Sequence, residues 1–131
     1  MTDAPTLYPA FRCRDAGATI DWLAVFGFTV AARYGEGDRV DHAELTLGEA
    51  TVMLGSARED AFGALIGEPG PGGGSLYLAV SDPDALHARA RDAGHDVVEP
   101  PTERDYGSRE FTVRDPDGRI WTFGTYRPGT A

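Results

Sequence analysis

The chain has 131 residues, with 21 acidic side chains against 12 basic ones and a formal charge of −9 at pH 7. That length fits one domain able to bury its own core, and the charge sets the chain against phosphate backbones and anionic lipid, so no nucleic acid and no membrane is expected as a partner. Every basic residue is arginine, which excludes a Schiff-base lysine and a Walker-type phosphate loop; Cys13, alone, cannot form an internal disulfide. With no apolar run near 18 residues and no signal peptide at the start of the sequence, a cytoplasmic location is expected.

In chain order, residues 8–14 read as a strand. Asp15 is placed to cap a helix from Ala16 to about Phe26, because its carboxylate can accept from the unpaired first-turn amides; Ile20, Leu23 and Ala24 form the buried stripe and Gly27 ends it. Residues 39–47 alternate, with Ala43, Leu45 and Leu47 on one face and His42, Glu44 and Thr46 on the other. A tight Gly48-Glu49 turn leads into a strand at 50–54. Residues 55–74 are expected as a loop whose apolar cluster, Phe62, Leu65 and Ile66, serves as a cavity lid or a dimer contact, and whose glycine-rich end, 67–74, is a flexible linker.

A strand at 75–80 follows, then a helix capped by Asp82 with Pro83 at its first position, where a missing amide costs nothing. Leu86, Ala90 and Ala93 are its buried stripe and Gly94 its end. Strands at 109–114 and 120–126 flank Asp115-Pro116-Asp117-Gly118, which suits a type I turn with a left-handed fourth residue.

The same unit occurs twice. Asp15 to Gly27 repeats as Asp82 to Gly94 at an offset of 67 residues, and Glu44-Leu45-Thr46-Leu47 repeats as Glu110-Phe111-Thr112-Val113 at 66. The chain is thus expected to be one domain of two modules, about 7–54 and 75–127, joined by 55–74.

This arrangement, with Arg14-Asp15-Ala16, Phe26-Gly27-Phe28 and the ending from Asp115 to Phe123, resembles the vicinal oxygen chelate superfamily, which includes glyoxalase I, extradiol dioxygenases and bleomycin-resistance proteins. The resemblance implies an α+β fold of two βαβββ modules in tandem, their mixed sheets curling around a shared cavity with helices outside, commonly in a homodimer. It also implies four metal-ligand positions, on the first and last strand of each module, which fall here on Tyr8, Met53, Ser75 and Thr122. None is histidine or carboxylate, the ligands a hard or borderline divalent ion needs, and their sequence neighbours supply none. No metal and no cofactor is therefore expected.

Strand alternation extends the cavity lining to Arg12 and Tyr77, and to His42, Glu44 and Glu110 on the polar faces of the third strands, with Glu44 and Glu110 taken as equivalents. Phe11, Cys13, Leu45, Val52, Leu54, Leu76, Leu78, Val80, Phe111, Val113, Trp121 and Phe123 fall on the opposite faces, toward the core. Trp22 and Phe26 are either a second edge of the core or a dimer or ligand contact, and His87 and His95 are expected at the surface.

Two functions follow. One is a small-molecule-binding protein of the bleomycin-resistance type that sequesters an aromatic or cationic antibiotic or metabolite. The other is a lyase, isomerase or epimerase using Glu44, Glu110 or His42 as acid and base, or an unidentified metal. A regulatory module with a filled cavity is a third.

Overall fold

Two runs of strand, helix and three strands follow one another, as the repeat requires. The structure, a computed structural model, describes residues 4–129. The first run is β1 (Ala10–Cys13), α1 (Ala16–Ala24), β2 (Thr29–Tyr34), β3 (His42–Leu47) and β4 (Ala50–Ser56). A short helix α2 (Ala61–Ile66) lies in the connection, and the second run is β5 (Ser75–Ala79), α3 (Pro83–Asp92), β6 (Asp96–Glu103), β7 (Arg109–Arg114) and β8 (Ile120–Gly124). The sheets have matching orders, β1-β4-β3-β2 and β5-β8-β7-β6, with the first strand of each run parallel to its last. The fold is α+β.

The helix starts form by the chemistry the sequence announces. Asp15 accepts from the Ala18 amide at 3.2 Å and Asp82 from the Ala85 amide at 3.1 Å, with Pro83 in the first turn of α3. Gly27 and Gly94 adopt positive φ just beyond the helix ends.

Three features differ from the sequence pattern. The segment from 55 to 74 is not wholly a loop: Asp60 caps α2 through the Gly63 amide at 2.7 Å. The outer strands β2 and β6, for which the pattern gave no boundaries, are exposed or half-buried throughout and carry register shifts; β6 alternates in burial over 96–101 but contains Pro100 and Pro101, which mask it as a strand in the sequence. The strand expected over 39–47 begins at His42; in the loop before it, the Arg39 guanidinium engages the Asp41 carboxylate at 2.9 and 3.1 Å.

The register also corrects the alignment of the repeat. Met53 pairs with Glu44 and with Ala10, whereas Thr122 pairs with Thr112 and with Tyr77. The counterpart of Glu44 is therefore Thr112, and the counterpart of His42 is Glu110. A two-residue slip leaves alternation intact and is invisible to a periodic pattern; only the ladder fixes it.

The core unites both runs. All twelve side chains expected there are buried or pack against the buried cluster. Trp22 on α1 and Phe26 just beyond its end are buried core residues that meet the second sheet: Trp22 lies 5.7 Å from Trp121, and Phe26 lies 4.5 Å from Phe123, between ring centroids. His95, expected at the surface, is half-buried, stacked 5.0 Å from Trp22, with Nε2 3.1 Å from the Trp22 carbonyl oxygen. His87 is half-buried as well, 5.6 Å from the Phe111 ring.

A buried polar cluster adds a second tie. The Asp115 carboxylate accepts from the amides of Asp117 and Arg119, from Arg119 Nη1 at 2.8 Å and from Trp121 Nε1 at 3.0 Å. Arg119 Nη2 reaches the Arg12 carbonyl at 3.2 Å, and its guanidinium carbon sits 4.1 Å over the Phe11 ring. Asp117 Oδ1 accepts from Arg14, by amide and by guanidinium. The turn that joins β7 to β8 thus clasps β1, the first strand of the other sheet.

Candidate functional site

Alternation puts the candidate residues of the first sheet on one face, as its cavities show. Tyr8, Glu44, Thr46, Thr51 and Met53 share a hollow of about 350 Å³, and Met53 also borders a smaller one with Arg12, His42 and Phe62. Tyr8 precedes β1 and is 48% exposed. His42 Nε2 lies 2.9 Å from Glu44 Oε2.

Arg12 is engaged already. Its two terminal nitrogens donate to the two oxygens of Asp60 at 2.9 and 3.0 Å, and its guanidinium lies 5.4 Å from the centre of the Phe62 ring. This is what holds α2, none of whose residues is buried, against the sheet. The Arg12 hydrogen bonds, with the Gly63 amide, hold the Asp60 carboxyl down to about 2.

On the second sheet, Thr122 and Thr112 hydroxyls lie 3.0 Å apart, and Tyr77 is the ladder partner of Thr122. Glu110 packs over Gly124, where a Cβ would stand 2.6 Å from its Cγ. Where β1 and β5 approach each other, a cavity of about 600 Å³ is lined by Tyr8, Phe11, Thr51, Ser75, Tyr77 and Arg119 among others. The seam brings candidates of the two modules together. Two more clefts of similar size also border candidates, one beneath α2 with Arg12 and one between the β3–β4 turn and α3 with Tyr77.

The four positions that hold a metal in the resembled family do not suit one here. A phenol, a thioether and two hydroxyls lack the imidazole and carboxylate donors of such sites. Among the described residues, no group of three His, Cys, Asp or Glu side chains is placed to hold an ion. Cys13 is buried, and burial pushes its thiol up to about 11, the mark of an inert core thiol.

Several residues of the second face escaped the sequence pattern. Tyr106 donates to Glu110 at 2.8 Å, Arg104 bridges Glu99 and Glu110, and Tyr126 accepts from the Tyr77 hydroxyl through its carbonyl at 2.6 Å. The available signal was the spacing of Tyr106 and Glu110 about Gly107, whose positive φ turns the β6–β7 hairpin.

Comparison with known proteins agrees with this geometry. Residues 7–123 match the Glyoxalase/Bleomycin resistance protein/Dioxygenase superfamily. An uncharacterized protein of Mycobacterium bovis is 32% identical over 125 residues, covering 92% of this chain and 82% of that one. The crystal structure of TioX from Micromonospora sp. ML1 superimposes with a TM-score of 0.74 at 28% identity, covering 95% of this chain and all (100%) of that one. A bleomycin-binding protein complexed with bleomycin shares the fold, with a TM-score of 0.69 at 15% identity and coverage of 95% and 100%. No helix among the described residues is long and apolar enough to cross a membrane. By sequence match and by architecture, the chain belongs to the glyoxalase/bleomycin resistance protein/dioxygenase superfamily.

Proposed function

We propose that the protein binds and sequesters a small aromatic or cationic molecule, an antibiotic or metabolite, without metal chemistry. One observation carries the reading: the four positions that the resemblance assigns to metal ligands are Tyr8, Met53, Ser75 and Thr122 here, and Tyr8 and Ser75 line the seam cavity of about 600 Å³ while Tyr8 and Met53 line the hollow on the first sheet. Aromatic, thioether and hydroxyl groups supply flat contact and a few hydrogen bonds, the usual make-up of a small-molecule site. The bleomycin-binding protein of the same fold is known in complex with bleomycin, which supports ligand binding as a role this fold can carry. Both faces are open in the single chain, with Tyr8, Tyr34 and Tyr77 exposed, and we infer that a second copy closes the cavity. Sedimentation of a monomer at micromolar concentration would overturn the dimer.

The test is calorimetric titration with bleomycin, an anthraquinone and other aromatic metabolites. Binding tighter than about millimolar, weakened about tenfold or more by Met53→Arg, supports the reading. Failure of every compound overturns it.

The His42–Glu44 pair favours a second reading, a lyase, isomerase or epimerase in which Glu44 takes a proton and His42 orients it. Turnover that Glu44→Gln abolishes while ligand affinity is kept would establish that reading in place of sequestration.

A further inference from the structure

The second sheet gathers three tyrosines round one carboxylate. The Glu110 side chain is 9% exposed, so it is nine-tenths withdrawn from water. Gly124 makes the gathering possible: a Cβ there would stand 2.6 Å from Glu110 Cγ and 2.7 Å from the Tyr77 hydroxyl oxygen. From the β6–β7 hairpin, the Tyr106 hydroxyl donates to Glu110 Oε1 at 2.8 Å. The Tyr126 ring meets the Tyr106 ring edge-on, 6.1 Å between centroids, and its carbonyl accepts from the Tyr77 hydroxyl. The three tyrosines keep between 36% and 57% of their surface exposed, so ring area is left for a guest.

The charges do not balance within the cluster. Arg104 is bound to Glu99 and also lies 3.5 Å from Glu110 Oε1, so one guanidinium serves two carboxylates. Both contacts to Glu110 fall on Oε1, and among the described residues nothing donates to Oε2. Oε2 is not a buried orphan: it keeps contact with water, and a cation or donor on a guest can take that water's place. The phenols do not add charge: the hydrogen bond to Glu110 raises Tyr106, and burial raises Tyr77, so both stay protonated at neutral pH. Aromatic faces attract soft, weakly hydrated cations, whereas a hard metal ion would need more oxygen ligands than one free carboxylate oxygen.

We propose that Glu110, with Tyr77, Tyr106 and Tyr126, forms the subsite for an organic ammonium group, such as an alkylated amine, on the small molecule this protein binds. The proposal rests on the ligand-binding reading above and goes further by assigning the charge to the second sheet.

Two probes of one shape test it: (4-hydroxyphenyl)trimethylammonium and its neutral isostere 4-tert-butylphenol, each titrated by calorimetry. The cation is expected to bind about tenfold or more tighter than the phenol. Glu110→Gln should abolish that preference, bringing the ratio of the two affinities to about one, and Tyr106→Leu, at the most exposed ring, should weaken the cation about two- to fivefold. Thermal melts of both variants confirm folding, and the ratio of the two affinities is a readout that a merely structural loss, weakening both probes alike, would not move. Equal affinity for the two probes overturns the subsite and leaves the ligand-binding reading standing. So does failure of both probes where the aromatic panel binds. If the panel fails too, both proposals fall.

Discussion

Asp115 shows how much one side chain can hold in a small domain. Four donors converge on its carboxylate, one of them the buried guanidinium of Arg119, which reaches across to β1. Removing one partner of a buried ion pair strands the other, so Asp115→Ala is expected to cost about 3–5 kcal/mol in urea unfolding. A loss below about 1 kcal/mol would show that the cluster contributes little. In the sequence, Asp115 was legible only as part of a turn, because its role depends on Arg119 and Trp121 folding back on it and on a strand about a hundred residues away. Glu44 and Glu110 illustrate the same limit. Residue type and face were legible, but their equivalence was not, since the hydrogen-bonded ladder alone decides between registers two residues apart.

At the scale of elements, local signals carried the capped helices α1 and α3, the inner strands and the β7–β8 turn, because an N-cap, an alternating face and a positive-φ glycine each act within a few residues. They failed for β2, β6 and α2, whose stability comes from neighbours. Helix α2 is the clearest case: with no buried residue, it depends on Arg12 and Asp60. Arg12→Ala is expected to release it and to speed tryptic cleavage after Arg58 several-fold; an unchanged rate would show that other contacts hold it. The pH dependence has a definite sign. Arg12 and the Gly63 amide hold Asp60 down to about 2, so the latch is intact at neutral pH. It is expected to be lost only as pH falls from about 4 toward 2, the range between the ordinary carboxylate value and the lowered one. Cleavage by an acid protease across that range would follow it, and release already at pH 6 would contradict it.

The whole molecule is two copies of one unit that share a core, so it should unfold as one body. Trp22 and Trp121 stand on either side of the junction, 5.7 Å apart. Their fluorescence and the far-ultraviolet circular dichroism are expected to change in a single coincident transition, which Trp22→Ala should lower by about 3–5 kcal/mol. Two separated transitions would mean that the modules are stable apart. On the proposed reading, the four positions that the resemblance assigns to metal ligands are all neutral in this chain. The thioether at one of them gives a direct probe. The chain has 2 methionines, Met1 and Met53. Protein carrying carbon-13 methyl methionine, titrated with a compound that calorimetry shows to bind, is expected to show the Met53 methyl signal shifting in step with occupancy. A bound compound that leaves Met53 unmoved would contradict the account, as would the same signal responding to a stoichiometric divalent metal.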